Sequence, residues 1–527
     1  MRKFLKFFST PFTESFSLFL SLTLLSSIVD VIAWITYGDP VFALYLGLHG
    51  YLMCYLLVLL YNAIKIRRIK KGYTVLLLFL GLISCLIDIV CHNTLHIGFT
   101  KDLVAIVMGT NPAESIEFVE TFFTGSVFVV YAIVLFLIVI IYVKKDTINS
   151  LGYKFAYSLL FILFIGTGAI CLKKSNNWEG VYLYKIITFM SYSASPDLNN
   201  YLQNPIVECV NDGPDNIVLI VGESFSKHHS SLYGYEKKTN PNLEKLRDDS
   251  LLFVYENIES AELGTILSFQ CIMSTYRPEY KGRVNWYECL TLPEIVSKTD
   301  YKSIWISNQC RSGAYDNVVS RYAELCDTSI WTGAKFTGIV KTDLDELILE
   351  ELKGRNEYIS NKNFFVIHLM GSHYSFKARY PVNFDVFKAE NYTEYPNHQR
   401  DELAAYDNSV LYNDYVVSEI FTLLGDEETL IIYFPDHGLD VYNSDENYVG
   451  HPRPSNEKSA TVGKEIPFMI YTSPLYKAHF PEKIEKIEKT VNKHYRTDDV
   501  LYTVMDIIGV KFADNDDVNK FSLLYLN

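Results

Sequence analysis

Ile431-Ile432-Tyr433-Phe434-Pro435-Asp436-His437-Gly438 is a short apolar run that ends in a carboxylate and an imidazole. A second stretch has the same build, because Val218-Leu219-Ile220-Val221 runs into Gly222-Glu223-Ser224. Runs this short, bounded by turn residues, predict strands buried on both faces. Similar runs lie at 303–306, 364–368 and 468–471, separated by helix-like segments such as 403–424. Strands alternating with helices predict an α/β domain whose mostly parallel sheet lies between helices. In such sheets chemistry collects beyond the carboxyl ends of the strands, which is where Glu223, Asp436 and His437 fall.

The first third of the 527-residue chain is built differently. Residues 1–172 hold 12 basic and 9 acidic side chains and residues 173–527 hold 35 and 52, net charges of +3 and −17. So acidic a second part excludes a nucleic-acid backbone binder, which needs clustered Lys and Arg. Five apolar stretches, 16–35, 41–64, 73–90, 122–143 and 155–172, each approach the ~20 residues that cross a bilayer. Arg2, Lys3 and Lys6, then Lys65, Arg67, Arg68, Lys70 and Lys71, then Lys144, Lys145 and Lys154 flank alternate ends. The positive-inside rule puts the N-terminus in the cytoplasm, and an odd number of spans delivers the rest of the chain to the outside. The expected organisation is a five-helix transmembrane domain over 1–172, a connector over 173–215 and a globular domain over 216–527. Asp30 and Asp88 fall inside spans, where helix ends and protein-facing positions accommodate them as readily as a functional role does.

Glu, Asp and His are the ligand types of a zinc site that keeps one position open for a reacting oxygen. Taken alone, Asp-His-Gly after a strand reads equally as a capped turn. Ser224 does not sit in a hydrolase nucleophile elbow, because position 226 is Ser where that turn requires Gly. Thr265, in Glu262-Leu263-Gly264-Thr265-Ile266-Leu267-Ser268, opens a helix-like segment. There it reads as an N-cap or as a nucleophile facing a phosphate at a helix N-terminus. Five cysteines of the second part, Cys209, Cys271, Cys289, Cys310 and Cys326, form no zinc-finger spacing, and a Cys310–Cys326 disulfide is one reading of them.

Taken in order, these blocks resemble the phosphoethanolamine transferases of Gram-negative bacteria, membrane-bound members of the alkaline phosphatase and sulfatase superfamily. The likeness runs through the five spans, Gly222-Glu223-Ser224, Ser231-Leu232-Tyr233-Gly234-Tyr235, Gly264-Thr265 and Trp305-Ile306-Ser307-Asn308-Gln309. It continues through His368-Leu369-Met370-Gly371-Ser372-His373, Tyr406-Asp407-Asn408, Leu411-Tyr412-Asn413-Asp414, Asp436-His437-Gly438 and His451. The wording is most similar to the branch that modifies the lipopolysaccharide core sugar. The resemblance implies Glu223, Asp436 and His437 as zinc ligands and Thr265 as the metal-bound nucleophile. It implies His373 and His451 as handlers of the phosphoryl group, the leaving group or a further metal, and Thr110 and Glu114 as holders of the ethanolamine headgroup. A carboxylate at Glu114 suits an ammonium group. Three positions depart from the family pattern: Ile106 stands for Asn, Pro435 for Ser and Leu439 for Glu. The last two bear on a second-metal site, so one Zn²⁺ is expected and a second is left open.

The resemblance implies a two-step enzyme of the bacterial inner membrane, monomeric, with its catalytic domain in the periplasm. Phosphatidylethanolamine is the expected donor and lipopolysaccharide, at a core sugar or lipid A, the acceptor. The alternatives are a phosphoglycerol transferase or phospholipid phosphodiesterase of the same superfamily, or a non-catalytic membrane scaffold. Retention of Glu223, Thr265, Asp436 and His437 together speaks against the scaffold.

Overall fold

The structure, a computed structural model, describes residues 2–36, 40–93, 123, 125–173, 207–209, 213–281, 283–309, 318–333, 344–357, 359–446, 448–453, 456–513 and 516–526. The chain divides into two compact units, one helical and one α/β.

The helical unit comprises α1 (Arg2–Thr13), α2 (Phe16–Ser26), α3 (Ile28–Thr36), α4 (Pro40–Ala63), α5 (Arg67–Asn93), α6 (Gly125–Val143) and α7 (Lys145–Lys173). Helices α4 to α7 are each long and apolar enough to cross a membrane. The expected first span is not one rod: α2 and α3 meet at a 48° bend. Hydroxyls explain the break, since Thr23 Oγ1 donates to Phe19 O at 3.0 Å and Ser27 Oγ to Thr23 O at 3.4 Å. Such back-bonding competes for the helix's own acceptors and bends it. Phe12, Phe19, Leu22, Tyr55, Val58 and Leu77 pack at the centre of the bundle. By contrast, only 11% of the apolar window of α6 or α7 is buried, leaving Phe136 and Phe164 turned outward as a lipid-facing surface requires. Of the two intramembrane acids, Asp30 on α3 pairs with His92 of α5 at 2.5 Å, so this charge ties two helices together.

The α/β unit is organised on seven strands: β1 (Asn216–Gly222), β2 (Leu252–Tyr255), β3 (Lys302–Ser307), β4 (Thr328–Trp331), β5 (Asn363–His368), β6 (Thr429–Pro435) and β7 (Phe468–Thr472). Their order across the sheet is β2-β7-β6-β1-β5-β3-β4. From β6 to β4 every pair is parallel, and β7 runs antiparallel to both its neighbours. The mostly parallel sheet therefore stands, with one reversed strand that the sequence pattern does not reveal.

Continuous apolar runs follow from burial on two sides. Alternate residues of a strand face opposite ways, so Ile217, Leu219 and Val221 enter one core while Val218 and Ile220 enter the other. In β6, Leu430, Ile432 and Phe434 share the first core and Ile431 and Tyr433 the second. Helices α8 (Thr265–Ile272) and α10 (Val500–Ile508) pack on the first face and α9 (Asn397–Leu424) on the second. Val207–Cys209, within the expected connector, pairs with Val510–Phe512 as a separate antiparallel ribbon.

Leu219 is fully buried in the central strand. Leu219→Ala is expected to lower the free energy of unfolding by about 3 kcal/mol, read from urea unfolding of the purified chain. A loss under about 1 kcal/mol would mean that the core closes around the missing side chain.

Candidate active site

Strand register builds the site. Gly222 of β1 is paired with Pro435 of β6, and Val221 with His368 of β5. The residues after these strands therefore emerge side by side: Glu223, the pair Asp436 and His437, and the loop from Leu369. Asp436 N–H donates to Gly222 O at 3.0 Å, which extends the ladder into the turn. Gly371 closes the third side with φ 50°, a left-handed backbone suited to glycine. A Cβ there would lie 2.8 Å from both N and O of Glu223.

Glu223, Asp436 and His437 are buried, and each offers a ligand atom within 4.8 Å of the others. His437 Nε2 lies 3.4 Å from Glu223 Oε1 and 3.6 Å from Asp436 Oδ2. Its Nδ1 faces Gly438 O at 2.8 Å, so this ring nitrogen is spent on backbone and Nε2 looks at the carboxylates. Asp436 Oδ1 accepts from His437 N–H at 2.8 Å and Ser224 N–H at 3.3 Å. Asp436 Oδ2 and His437 Nε2, in contrast, are buried without a hydrogen bond. Buried polar atoms are nearly always satisfied, and oxygen and nitrogen donors converging in this way fit a divalent cation of the zinc type.

Thr265 is the first residue of α8, with Gly264 as its N-cap. Its Oγ1 donates to Glu223 Oε2 at 3.1 Å, so the nucleophile candidate stands at the cluster and at a helix N-terminus together. His451 and His437 rings lie 4.8 Å apart. His451 Nδ1 is buried without a partner. His373, with Nδ1 on Tyr374 O at 2.7 Å, is close enough to act electrostatically on both Glu223 and His451. Six of the eight expected site residues thus converge. Thr110 and Glu114 lie outside the described residues, as do Ile106 and Cys310, one half of the Cys310–Cys326 reading. Cys271, Cys289 and Cys326 carry no disulfide.

Two polar contacts escaped the sequence reading. Gln309 Nε2 donates to Glu223 Oε2 at 3.2 Å, and Ser224 Oγ to Glu223 Oε1 at 2.7 Å. Gln309 lies just beyond the end of β3, and its place past a strand end was the available signal.

Charge is distributed unevenly over the cluster. Burial disfavours ionised Glu223, but the adjoining His437 outweighs it and holds the carboxyl well below its usual range. Burial and the Glu223 charge push Asp436 up to about 7. Burial works against a charged His437, yet Asp436 and Glu223 carry it to about 9. Burial and then His437 push His451 down to about 3, leaving it neutral. Without a cation, then, a proton on His437 occupies the cluster.

This fold and this cluster define an enzyme-like α/β unit of known class. The sulfatase family model matches residues 215–510, and the chain belongs to that family. Its curated relatives include phosphoethanolamine transferases. The chain is 26% identical over 313 residues to phosphoethanolamine transferase EptC of Escherichia coli, covering 58% of this chain and 52% of that one. It is 31% identical over 267 residues to phosphoethanolamine transferase EptA of Helicobacter pylori, covering 50% and 48%. The chain thus spans about half the length of the curated relatives it matches. Among solved structures, the C-terminal periplasmic domain of E. coli EptC in complex with Zn superposes with a TM-score of 0.55 at 24% identity, covering 62% of this chain and 90% of that one. The integral membrane protein EptA of Neisseria meningitidis does so with a TM-score of 0.68 at 17% identity over 97% and 98%, a likeness of fold through both units.

A metal ion entering the cluster competes with the His437 proton. Zinc binding to the metal-free protein at pH 7.5 is expected to release about one proton per ion, measured by titration calorimetry in buffers of different ionisation enthalpy. Affinity should rise with pH and level off near pH 9, where His437 deprotonates unaided. A pH-independent affinity from 6 to 9 would place the ion elsewhere.

Proposed function

We propose that the chain transfers phosphoethanolamine from phosphatidylethanolamine to lipopolysaccharide, at a core sugar or lipid A, through a phosphothreonine on Thr265. The observation that carries this reading is the Thr265 hydroxyl, hydrogen-bonded to Glu223 at the head of α8. Glu223, Asp436 and His437, with Thr265 Oγ1, would hold one Zn²⁺. Bound there, the ion supplies Lewis acidity that makes the hydroxyl more acidic and offsets charge on the transferred group.

The chain's own residues do the rest. Thr265 Oγ1 forms a bond to phosphorus, the bond from phosphorus to the glycerol oxygen breaks, and diacylglycerol leaves with a proton. The unpaired N–H groups of the first turn of α8 face the phosphoryl oxygens. His373 and His451 hold and return the proton of the leaving oxygen and then of the acceptor. In the second half an acceptor hydroxyl or phosphate oxygen takes the phosphoethanolamine and Thr265 is regenerated. Thr110 and Glu114 hold the ethanolamine end, the carboxylate pairing with the ammonium. All eight residues belong to one chain, so a monomer suffices. The apolar helices keep the chain beside its lipid donor, in the inner membrane of a bacterium with the N-terminus cytoplasmic and the catalytic unit periplasmic.

Thr265→Ala is expected to lower transfer at least about 1,000-fold while the protein stays folded. Mass spectrometry of lipid A and of core oligosaccharide from cells carrying either form reads the phosphoethanolamine increment and assigns the acceptor. Unchanged modification by the alanine variant would refute the covalent step. Labelled phosphatidylethanolamine yielding only free phosphoethanolamine would instead identify a hydrolase.

A further inference from the structure

Ser224 follows Glu223 directly and lies in the left-handed region, at φ 55°. A serine persists there only where its surroundings over-determine it. Three of its groups are engaged within the site: the N–H with Asp436, the hydroxyl with Glu223, and the carbonyl with Tyr406 of α9. The Tyr406 phenol donates to Ser224 O at 2.9 Å and accepts from Ser226 N–H at 2.8 Å. It therefore closes the turn from both ends, satisfying two buried backbone groups with one oxygen.

The phenol is itself fixed. Tyr406 is fully buried, and its ring meets His229 and Phe376 edge-on at 5.0 and 4.9 Å. Asp407, the next residue, accepts from His229 Nδ1 at 2.7 Å and from Tyr235 at 2.7 Å, and also bonds Tyr392. Farther along α9, Ser409 Oγ donates to Ser372 Oγ at 3.0 Å, and Ser372 N–H donates to Glu223 O at 3.0 Å. The middle of α9 thus grips the backbone at Glu223, through Ser372, and just after it, at Ser224 and Ser226.

We propose that Tyr406 is a positioning residue for the transfer reaction: its phenol holds the left-handed turn at Ser224 and so aims Glu223 at Thr265 and His437. This role rests on the transferase reading, with Thr265 as nucleophile and Glu223 as metal ligand. Tyr406 touches neither substrate nor metal.

Tyr406→Phe in the full chain keeps the ring and removes only the clasp. In the metal-free protein, amide exchange followed by mass spectrometry should accelerate about tenfold in the peptide carrying Ser226. Peptides of β6 should be unaffected. Zinc should bind about tenfold more weakly. At saturating zinc, kcat should fall about tenfold with KM for phosphatidylethanolamine unchanged. The visible spectrum of the Co²⁺-loaded protein, a report on ligand geometry, should change.

Phe421→Leu, farther along α9 and stacked on Tyr471, is the stability control. It should lower the melting temperature but leave the Co²⁺ spectrum and the exchange at Ser226 as in the parent. Should Tyr406→Phe not fold, Tyr406→His keeps an aromatic ring with two polar nitrogens but lacks the reach of the phenol, and is judged by the same exchange and spectrum. Ser224→Gly adopts the turn without a Cβ, so Tyr406→Phe should weaken zinc binding less in that background. Additive effects, or a Tyr406→Phe protein with parental exchange and Co²⁺ spectrum, would overturn the proposal. A parent protein that binds zinc but transfers nothing would refute the transferase reading alone, because exchange and spectrum judge the clasp without turnover.

Discussion

The structure depends on one pairing. Strands β1 and β6 run parallel in adjacent positions, in a register that sets Gly222 against Pro435. Slippage by one residue would send every side chain of β1 to the other core, and each core is packed around the particular side chains it receives, so packing complementarity locks the register. The same lock places Glu223 beside Asp436, more than two hundred residues away in the chain. The energy of the sheet interior therefore fixes the geometry of polar groups at its end, and those groups need contribute nothing to folding. Indeed they oppose it: two carboxylates and an imidazole buried together are unfavourable unless a proton or a cation joins them.

Much of this was legible because the strands at the centre have no polar face. All five apolar runs read from the sequence lie within strands of the sheet, and the chemistry-bearing residues follow two of them. The edge strands were not legible. Phe253 and Val254 of β2 and all four residues of β4 fall short of full burial, and these runs are short and mixed. The antiparallel direction of β7 was also hidden, since direction depends on connections and leaves no trace in composition. In the helical unit, hydropathy located the spans but not the bend at Ser27, because hydropathy averages over the hydroxyls whose directed bonds produce it.

Site residues separate along the same line. Glu223, Thr265, Asp436 and His437 are chemically distinctive residues at element ends, so type and position announced them. Tyr406 lies mid-helix in the block Tyr406-Asp407-Asn408, part of the resemblance with no role attached, and by burial it belongs to the core. Only its phenolic oxygen reaches the turn after Glu223, a fact of tertiary distance. Asp407 reads likewise as a polar interruption of α9, although it braces His229 against Tyr406.

Glu223 shows how little freedom such a carboxylate retains. An ionised carboxylate has about four lone-pair sites. On Oε2, Thr265 and Gln309 take two. On Oε1, Ser224 takes a third, leaving the remaining direction toward His437 Nε2 at 3.4 Å. Three donors from three different elements thus fix the carboxylate plane. A cation arriving beside His437 would find the last lone pair already aimed, with no side-chain rotation needed. Preorganisation of this kind is what distinguishes a binding centre from a buried ion pair, whose partners merely satisfy each other. The left-handed serine then has a reason: from that backbone its N–H and hydroxyl reach Asp436 and Glu223 at once, coupling the two acids through one residue.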